Sequence, residues 1–337
     1  MSYDINMTDS AFPIFQMMVN SYSPGAFTIE LAEDVYPIAH DLGLQDKHIQ
    51  SALLHEYVHY LQDTVTYYGV KYRGEYYSGT IDKLIAGGND GSALGYPYMG
   101  GDFAMSDDGR LLIDGEIVGA TAIKENMARQ AELYVFGSLK GATYNAMTYK
   151  AITMFTKCFS EELSKNHLAM FVIDDCCLGT LDPSTSIVTL MEHIDIQSVE
   201  GHLKHNDKDL VSWLYPMIHA VFESKNILFD QAIDISQFNT EKWKMACYTG
   251  IAKQIYATQA ICNANGDDVM ALISKIEEAY HCNATLRHAN HSVLTDSLID
   301  FKQHCDFEKL FARYGVPLIK KTGTCDPKDS NLDIILQ

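Results

Sequence analysis

The sequence predicts a predominantly α-helical α+β fold, and three observations lead to this prediction. Most of the chain after residue 140 has helical periodicity, a long apolar helix is expected near residue 55, and two short N-terminal segments have strand patterns. The 337 residues are 47% hydrophobic and 20% charged, which is enough apolar surface for a full-sized core. We expect residues 1–140 to carry a small sheet and residues 141–337 to form a helical portion packed on it.

The β structure is expected in two places. Residues 26–31 alternate between apolar and polar side chains, as a half-buried strand does. Residues 110–113 and 116–118 flank an Asp-Gly pair, which supplies the positive φ values of a type I′ turn and predicts a hairpin. The segment between these places is rich in Tyr and Gly, and we expect loops there around one short helix at 80–86.

Two helices of the N-terminal part stand out. The first is expected from Asp46 to about Gly69, because apolar side chains recur at every fourth position and widen into the face of a buried helix. The second begins near Thr121 and meets no helix breaker until Gly137. Later helices are predicted at 141–159, 163–178, 185–195, 207–224, 240–263, 267–280 and 294–313.

Composition excludes several classes of function. The net charge of −19 repels phosphate backbones and anionic membrane surfaces, so we do not expect a nucleic acid or a membrane as partner. No basic leader and no apolar run of ~20 residues is present, which predicts a cytoplasmic protein. The 8 cysteines form no CxxC pair, which is typical of reduced thiols.

The sharpest motif is His55-Glu56-Tyr57-Val58-His59 on the first of these helices. Histidines four positions apart on a helix project from one face, so both imidazoles can bind one Zn²⁺. Glu56 is offset by one position and is suited to take a proton from water as general base. A chain of this composition contains roughly 0.02 such patterns by chance, before a helix is required.

A catalytic zinc ion takes three protein ligands and one water, so a third ligand is needed. A metzincin extension would need Gly at 62 and His at 65, where this chain has Gln62 and Val65. We therefore expect a carboxylate, and we choose Glu125, because it lies early in the second helix, where Ala128 permits close helix packing. Glu75 is the rival, although its glycine-flanked context orients a ligand less well.

Glu132 follows Glu125 at seven positions, or two turns along the same face of the second helix. At that distance its carboxylate could accept a hydrogen bond from the outer nitrogen of a ligand imidazole. A solvated surface glutamate is the alternative for this residue.

The HExxH motif, together with Glu125-Asn126-Met127-Ala128, resembles the zincin-like metallopeptidases of the gluzincin type. The resemblance covers these motifs and not the rest of the chain. It implies a zincin-like catalytic core in residues 1–140, with zinc bound by His55, His59 and Glu125 and with Glu56 as base and then proton donor. Arg129 stands where an Asp is often found in that family.

The expected function is zinc-dependent hydrolysis of a peptide or related amide bond in a protein or peptide substrate. An oxyanion-stabilising Tyr, His or Arg is expected beside the metal, but the sequence does not single one out. The alternative is a non-catalytic interaction protein that keeps the fold, and with it the metal, for structure. The sequence leaves the substrate and the oligomeric state open.

Overall fold

The structure is a computed structural model, and it describes residues 21–23, 28–31, 46–71, 112–113, 116–117, 119–139, 149–229, 266–288, 291–315 and 318–321. Four predictions lie outside these residues. They are the short helix at 80–86, the helix at 240–263, the Asp-Gly turn of the hairpin and the rival ligand Glu75.

Helices account for most of the described residues. They are α1 (Lys47–Val65), α2 (Ala120–Phe136), α3 (Ala151–Lys157), α4 (Glu161–Lys165), α5 (His167–Leu178), α6 (Pro183–His193), α7 (Ile196–His202), α8 (Asp207–Ser224), α9 (Gly266–His288), α10 (Val293–His304) and α11 (Phe307–Tyr314). Among the helices described, none combines the length and the hydropathy needed to cross a membrane.

The described strands are β1 (Ser21–Ser23), β2 (Thr28–Leu31), β3 (Leu112–Ile113), β4 (Glu116–Ile117) and β5 (Leu318–Lys321). Strand β2 pairs antiparallel with β1 and parallel with β5, and β3 pairs antiparallel with β4.

The prediction of an α+β fold with a zincin-like sheet is wrong, because the protein is essentially all-α. The strand patterns in the sequence are local, and each described strand is only two to four residues long. Strands this short bury little apolar surface, so they form no layer that could carry a core. The core is instead built from helices that pack on helices.

Helix α2 lies at the centre of this packing. It packs against both α1 and α5, and α8 packs in turn on α5. Ala128 and Ala131 of α2 are fully buried, and such small side chains permit close helix approach. The hydrophobic core is continuous from α1 and α2 into the helices after residue 150, so both segments of the chain contribute to it.

Helix α1 is also held by residues from the C-terminal part of the chain. Its Tyr57 hydroxyl donates to the carbonyl oxygens of Leu310 at 3.2 Å and Gly315 at 2.8 Å, and its Tyr60 hydroxyl donates to that of Tyr314 at 2.7 Å. Both tyrosines are fully buried, so unmade hydrogen bonds there would be costly. These contacts fix α1 against the end of α11.

The predicted helix at 207–224 is confirmed in its full length. The one predicted at 163–178 is instead two helices, because Asn166 ends α4 and caps α5 with its side chain. The one predicted at 294–313 is also two helices, because Cys305 adopts a left-handed conformation with φ 48° and the next residue caps α11. Both breaks occur at capping residues, without the Gly or Pro that usually marks the end of a helix in a sequence.

The other predicted helices differ in their bounds. Within 141–159 the described helix ends at Lys157, the helix predicted at 185–195 begins at Pro183, and the one predicted at 267–280 continues to His288. Helix α7 was not predicted. It is a short helix with one buried apolar side chain, and an amphipathic pattern needs more turns than that to become visible.

Helix α1 ends earlier than predicted. It stops at Val65, Thr66 is extended, and residues 67–71 are helical again. A Cβ atom at Gly69 would lie 2.2 Å from the carbonyl oxygen of Gln62. Gly69 is therefore a close-approach position where the chain folds back on α1, and not the cap of the helix.

A buried polar cluster around Asp175 joins four helices or their ends. The Asp175 carboxylate is fully buried and pairs with Arg287 at 2.5 Å, and it accepts hydrogen bonds from Tyr215 and, at 2.7 Å, from Ser292. Burial and the charge of Asp175 raise the pKa of the Tyr215 hydroxyl well above its usual range, so it stays protonated and donates. Three donors therefore depend on one carboxylate.

Replacing Asp175 with Ala should lower the free energy of unfolding by about 3–5 kcal/mol, because it removes the buried carboxylate that pairs with the Arg287 guanidinium. Urea denaturation followed by circular dichroism measures the change. The control is Lys165→Ala, which removes an exposed ion pair with Glu161 at 2.9 Å and should leave the unfolding midpoint where it is. Equal midpoints for both variants would contradict the structural role of Asp175.

Candidate metal centre

Three side chains converge where α1 packs on α2. The Nε2 atoms of His55 and His59 lie 3.2 Å apart, and the Oε2 atom of Glu125 lies 3.3 Å from the first and 3.2 Å from the second. The three atoms therefore form a nearly equilateral triangle. In the part of the chain that the structure describes, this is the group of His, Cys, Asp or Glu side chains placed to hold a metal ion.

The size of the triangle fits zinc. An ion with tetrahedral geometry and bonds of about 2.0–2.1 Å holds its ligand atoms about 3.3–3.4 Å from one another. The observed separations of 3.2 to 3.3 Å agree with that spacing. The Oε2 atom of Glu125 is buried and makes no hydrogen bond within the described residues, although both imidazoles are beside it. An atom of this kind is unsatisfied unless a proton or a metal cation lies within the triangle.

Helix geometry explains two of the three ligands, and helix packing explains the other. His55 and His59 are one turn apart on α1, so their rings project from the same face. Glu125 lies in the first half of α2, and the small buried side chain of Ala128 follows it by almost one turn. The carboxylate thus reaches the imidazoles because α2 approaches α1 closely.

The outer nitrogen of His55 faces Glu132. The Nδ1 atom of His55 is hydrogen-bonded to Oε1 of Glu132, while Oε2 of Glu132 accepts from Ser51 Oγ at 3.0 Å and from Arg129 Nη1 at 3.1 Å. An ionised carboxylate only accepts hydrogen bonds, so Nδ1 of His55 carries the proton. The Nε2 lone pair then points towards the centre of the triangle, which is how second partners commonly orient metal-binding histidines.

The outer nitrogen of His59 faces an amide. Its Nδ1 atom lies 2.9 Å from Oε1 of Gln62, which follows it by three positions on α1. With both outer nitrogens bonded to acceptors, the three atoms of the triangle all present lone pairs to one another. Only a proton or a metal cation among them relieves that repulsion.

The pKa shifts of His55 and Glu125 also indicate that the triangle favours positive charge. Burial lowers the pKa of His55, but the charge of Glu132 and the adjacent Glu125 carboxylate outweigh it, so this pKa lies well above its usual range. Burial raises the pKa of Glu125, but the neighbouring His59 and His55 outweigh it and hold this pKa well below its usual range. The pocket therefore favours a cation over a neutral centre.

Glu56 lies beside the triangle and is not one of its corners. Its side chain is buried, at 5% exposure, and burial raises its pKa, while the charges of His55 and His59 oppose that rise. A buried carboxylate that is influenced by the charges of both imidazoles is suited to exchange a proton with a water bound beside them.

Sequence reading missed Tyr149. Its ring centroid is 5.9 Å from that of His55, and its hydroxyl is influenced by the adjacent Glu125 carboxylate. Burial and the charges of Glu125 and Glu56 raise the pKa of Tyr149 well above its usual range, so the hydroxyl remains a donor. No motif in the sequence pointed to this tyrosine. Gln62, in contrast, lies three positions after His59 on the same helix face, so helical spacing is a sequence signal that could have identified it.

Comparisons of this chain with models of known protein families, with curated proteins and with solved structures find no match. The geometry of the site is therefore the basis for any function assigned to the chain. The triangle contains Glu125, which was preferred over Glu75, while Glu75 lies outside the described residues.

The protein should bind one zinc ion per chain. His55→Ala, His59→Ala and Glu125→Ala should each weaken zinc binding by more than about 100-fold, which exceeds the loss typical for residues that only support a ligand. Chelator competition on metal-depleted protein measures the dissociation constants.

The matched control for this experiment is His48→Ala, which removes an exposed histidine from the same helix. It should bind zinc as the unmodified chain does. Unchanged zinc binding in any of the three triangle variants would contradict the ligand set.

Proposed function

We propose that this protein is a zinc-dependent hydrolase of the cytoplasm that cleaves a peptide or related amide bond. The observation that carries the proposal is the triangle of His55, His59 and Glu125 with the buried carboxylate of Glu56 beside it. The resemblance of the HExxH motif to that of zinc metallopeptidases supports the proposed hydrolysis. The described cysteines are all free thiols, which supports the proposed location in the cytoplasm.

A catalytic role for the metal is favoured over a purely structural one. Structural zinc sites have four protein ligands, whereas catalytic sites have three and keep one position open. Within the described residues no fourth His, Cys, Asp or Glu ligand joins the triangle. The Glu125 side chain is 21% exposed, so solvent reaches one side of the group. Water and a substrate could enter from that side.

A zinc ion held by His55, His59 and Glu125 would supply Lewis acidity, which polarises a carbonyl group and makes water more acidic. Glu56 provides the proton acceptor. It takes a proton from the water whose oxygen attacks the carbonyl carbon, and it then gives that proton to the amide nitrogen as the carbon–nitrogen bond breaks. The products are a carboxylic acid and an amine, so atoms and charge balance.

Tyr149 is suited to stabilise the negative charge that develops on the substrate oxygen. Its hydroxyl already lies at the Glu125 carboxylate and is held in the protonated form. A donor of this kind is effective when it is buried and fixed before the reaction, and removing one such donor costs about 10²–10³ in kcat.

Glu56→Gln should retain zinc and lose peptide cleavage. The amide keeps the size of the side chain but cannot accept the proton from water. The measurement is cleavage of a proteome-derived peptide library by zinc-loaded protein, followed by mass spectrometry.

The control is Glu162→Gln, which makes the same chemical change at an exposed position of α4. It should cleave as the unmodified chain does. If Glu56→Gln cleaves the library equally well, Glu56 is not the base. If the zinc-loaded unmodified chain cleaves nothing, the chain is a non-catalytic metal protein and the hydrolase proposal fails.

Tyr149→Phe should lower kcat by about 10²–10³ with little change in KM, because the lost hydroxyl acts on charge that exists only in the transition state. Tyr134→Phe is the control, since it removes a hydroxyl that donates to Asp207 at 2.5 Å instead. Zinc content and initial rates are measured for both. A weaker zinc affinity with an unchanged kcat of the loaded enzyme would show that Tyr149 holds Glu125 and does not act on the substrate.

A further inference from the structure

We propose that Gln62 is a positioning residue that fixes the tautomer of His59 and ties this ligand to the segment of α2 that carries Glu125. The proposal rests on the metal centre of the proposed function. The proposal goes beyond that function because it assigns a role to a residue outside the HExxH motif and outside the set of ligands.

The contacts of Gln62 leave one orientation for its amide. The side chain is fully buried, and its Nε2 atom lies 2.8 Å from the carbonyl oxygen of Lys124. A carbonyl oxygen can only accept a hydrogen bond, so the atom facing it must be the amide nitrogen. The amide oxygen of Gln62 therefore faces Nδ1 of His59 at 2.9 Å.

That orientation decides which nitrogen of His59 carries the proton. Because the amide oxygen is an acceptor, Nδ1 of His59 must be the donor. The neutral ring then has its lone pair on Nε2, the atom that lies 3.2 Å from both Nε2 of His55 and Oε2 of Glu125. A backbone carbonyl on α2 thus fixes, through one amide, the nitrogen that His59 offers to a metal.

The same amide joins the two helices that carry the ligands. Lys124 immediately precedes Glu125, so the hydrogen bond from Gln62 ends next to the third ligand. The adjacent pair of Lys124 Nζ with Asp63 gives a second link between α1 and α2, and all three of these side chains are buried. The separation between His59 and Glu125 is therefore set partly by Gln62.

The test compares Gln62→Met with Gln62→Glu. Methionine fills a similar volume but removes both hydrogen bonds, so zinc affinity should fall by about 10–100-fold, as it does when the outer partner of a ligand is lost. Glutamate keeps an oxygen that accepts from His59 and loses the donor to Lys124. Because the link to Lys124 is still missing, it should restore part, and not all, of the zinc affinity that methionine loses.

Chelator competition gives the zinc affinities, and the visible absorption of the Co²⁺-loaded protein reports the ligand geometry. The Co²⁺ bands of Gln62→Met should shift or weaken relative to the unmodified chain, and those of Gln62→Glu should stay close to it. A residue that only stabilises the fold would leave these bands unchanged in every variant that remains folded.

The matched control is Gln130→Met. Gln130 is also buried, and it bonds Asn126 at 3.2 Å, Thr153 at 3.0 Å and His167 at 2.8 Å, none of which is a ligand. Thermal denaturation of the metal-free proteins separates stability from metal binding. The control should lose stability but keep the zinc affinity and the Co²⁺ spectrum.

Two failures are distinguishable. If the unmodified chain binds no zinc, the proposed function is wrong and the role of Gln62 is wrong with it. If the unmodified chain binds zinc and Gln62→Met binds it equally well with the same Co²⁺ spectrum, only the role of Gln62 is wrong. If Gln62→Met does not fold, Gln62→Glu decides the question. A zinc affinity of Gln62→Glu as low as that of the ligand variants would overturn the proposal.

Discussion

The close packing of α1 on α2 is the constraint on which the site depends. This contact buries polar and charged side chains, among them Gln62, Asp63, Lys124 and Glu132. Burying such groups is costly unless each has a partner, so the helices are stable in an arrangement that pairs them. That arrangement links Asp63 to Lys124 and Gln62 to the α2 backbone at one end of the ligand group, and Ser51 to Glu132 at the other. The ligands lie between these links.

At the centre of the site, in contrast, acceptor atoms of His55, His59 and Glu125 lie within 3.2 to 3.3 Å of one another. The charges of Glu56 and Glu132 and the adjacent Glu125 carboxylate act on the His55 imidazole, and Arg129 pairs with Glu132. The surrounding pairs hold the corners of the triangle in place although the corners repel one another. A cation that binds the folded chain and not the unfolded chain would stabilise the folded state. Metal binding at the site and the stability of the helix pair are therefore linked.

The sequence predicted many of the helices but not the fold class. Helix 207–224 and the end of α2 at Gly137 were correct, because amphipathic periodicity and a glycine are local signals. The breaks at Asn166 and Cys305 were missed, since capping side chains and one left-handed residue look ordinary within a helical pattern. The α+β class was wrong because a local strand pattern does not show that the strand is too short to bury much apolar surface.

The sequence by itself determined what depends on spacing within one helix: the two imidazoles of His55 and His59 on one face, and Glu56 beside them. Tertiary structure decided which distant groups join them. Glu125 reaches the imidazoles because α2 packs on α1, and Tyr149 had no sequence pattern to mark it. The physical reason is that helical geometry fixes relations over a few residues, whereas contacts between helices depend on how the whole core packs.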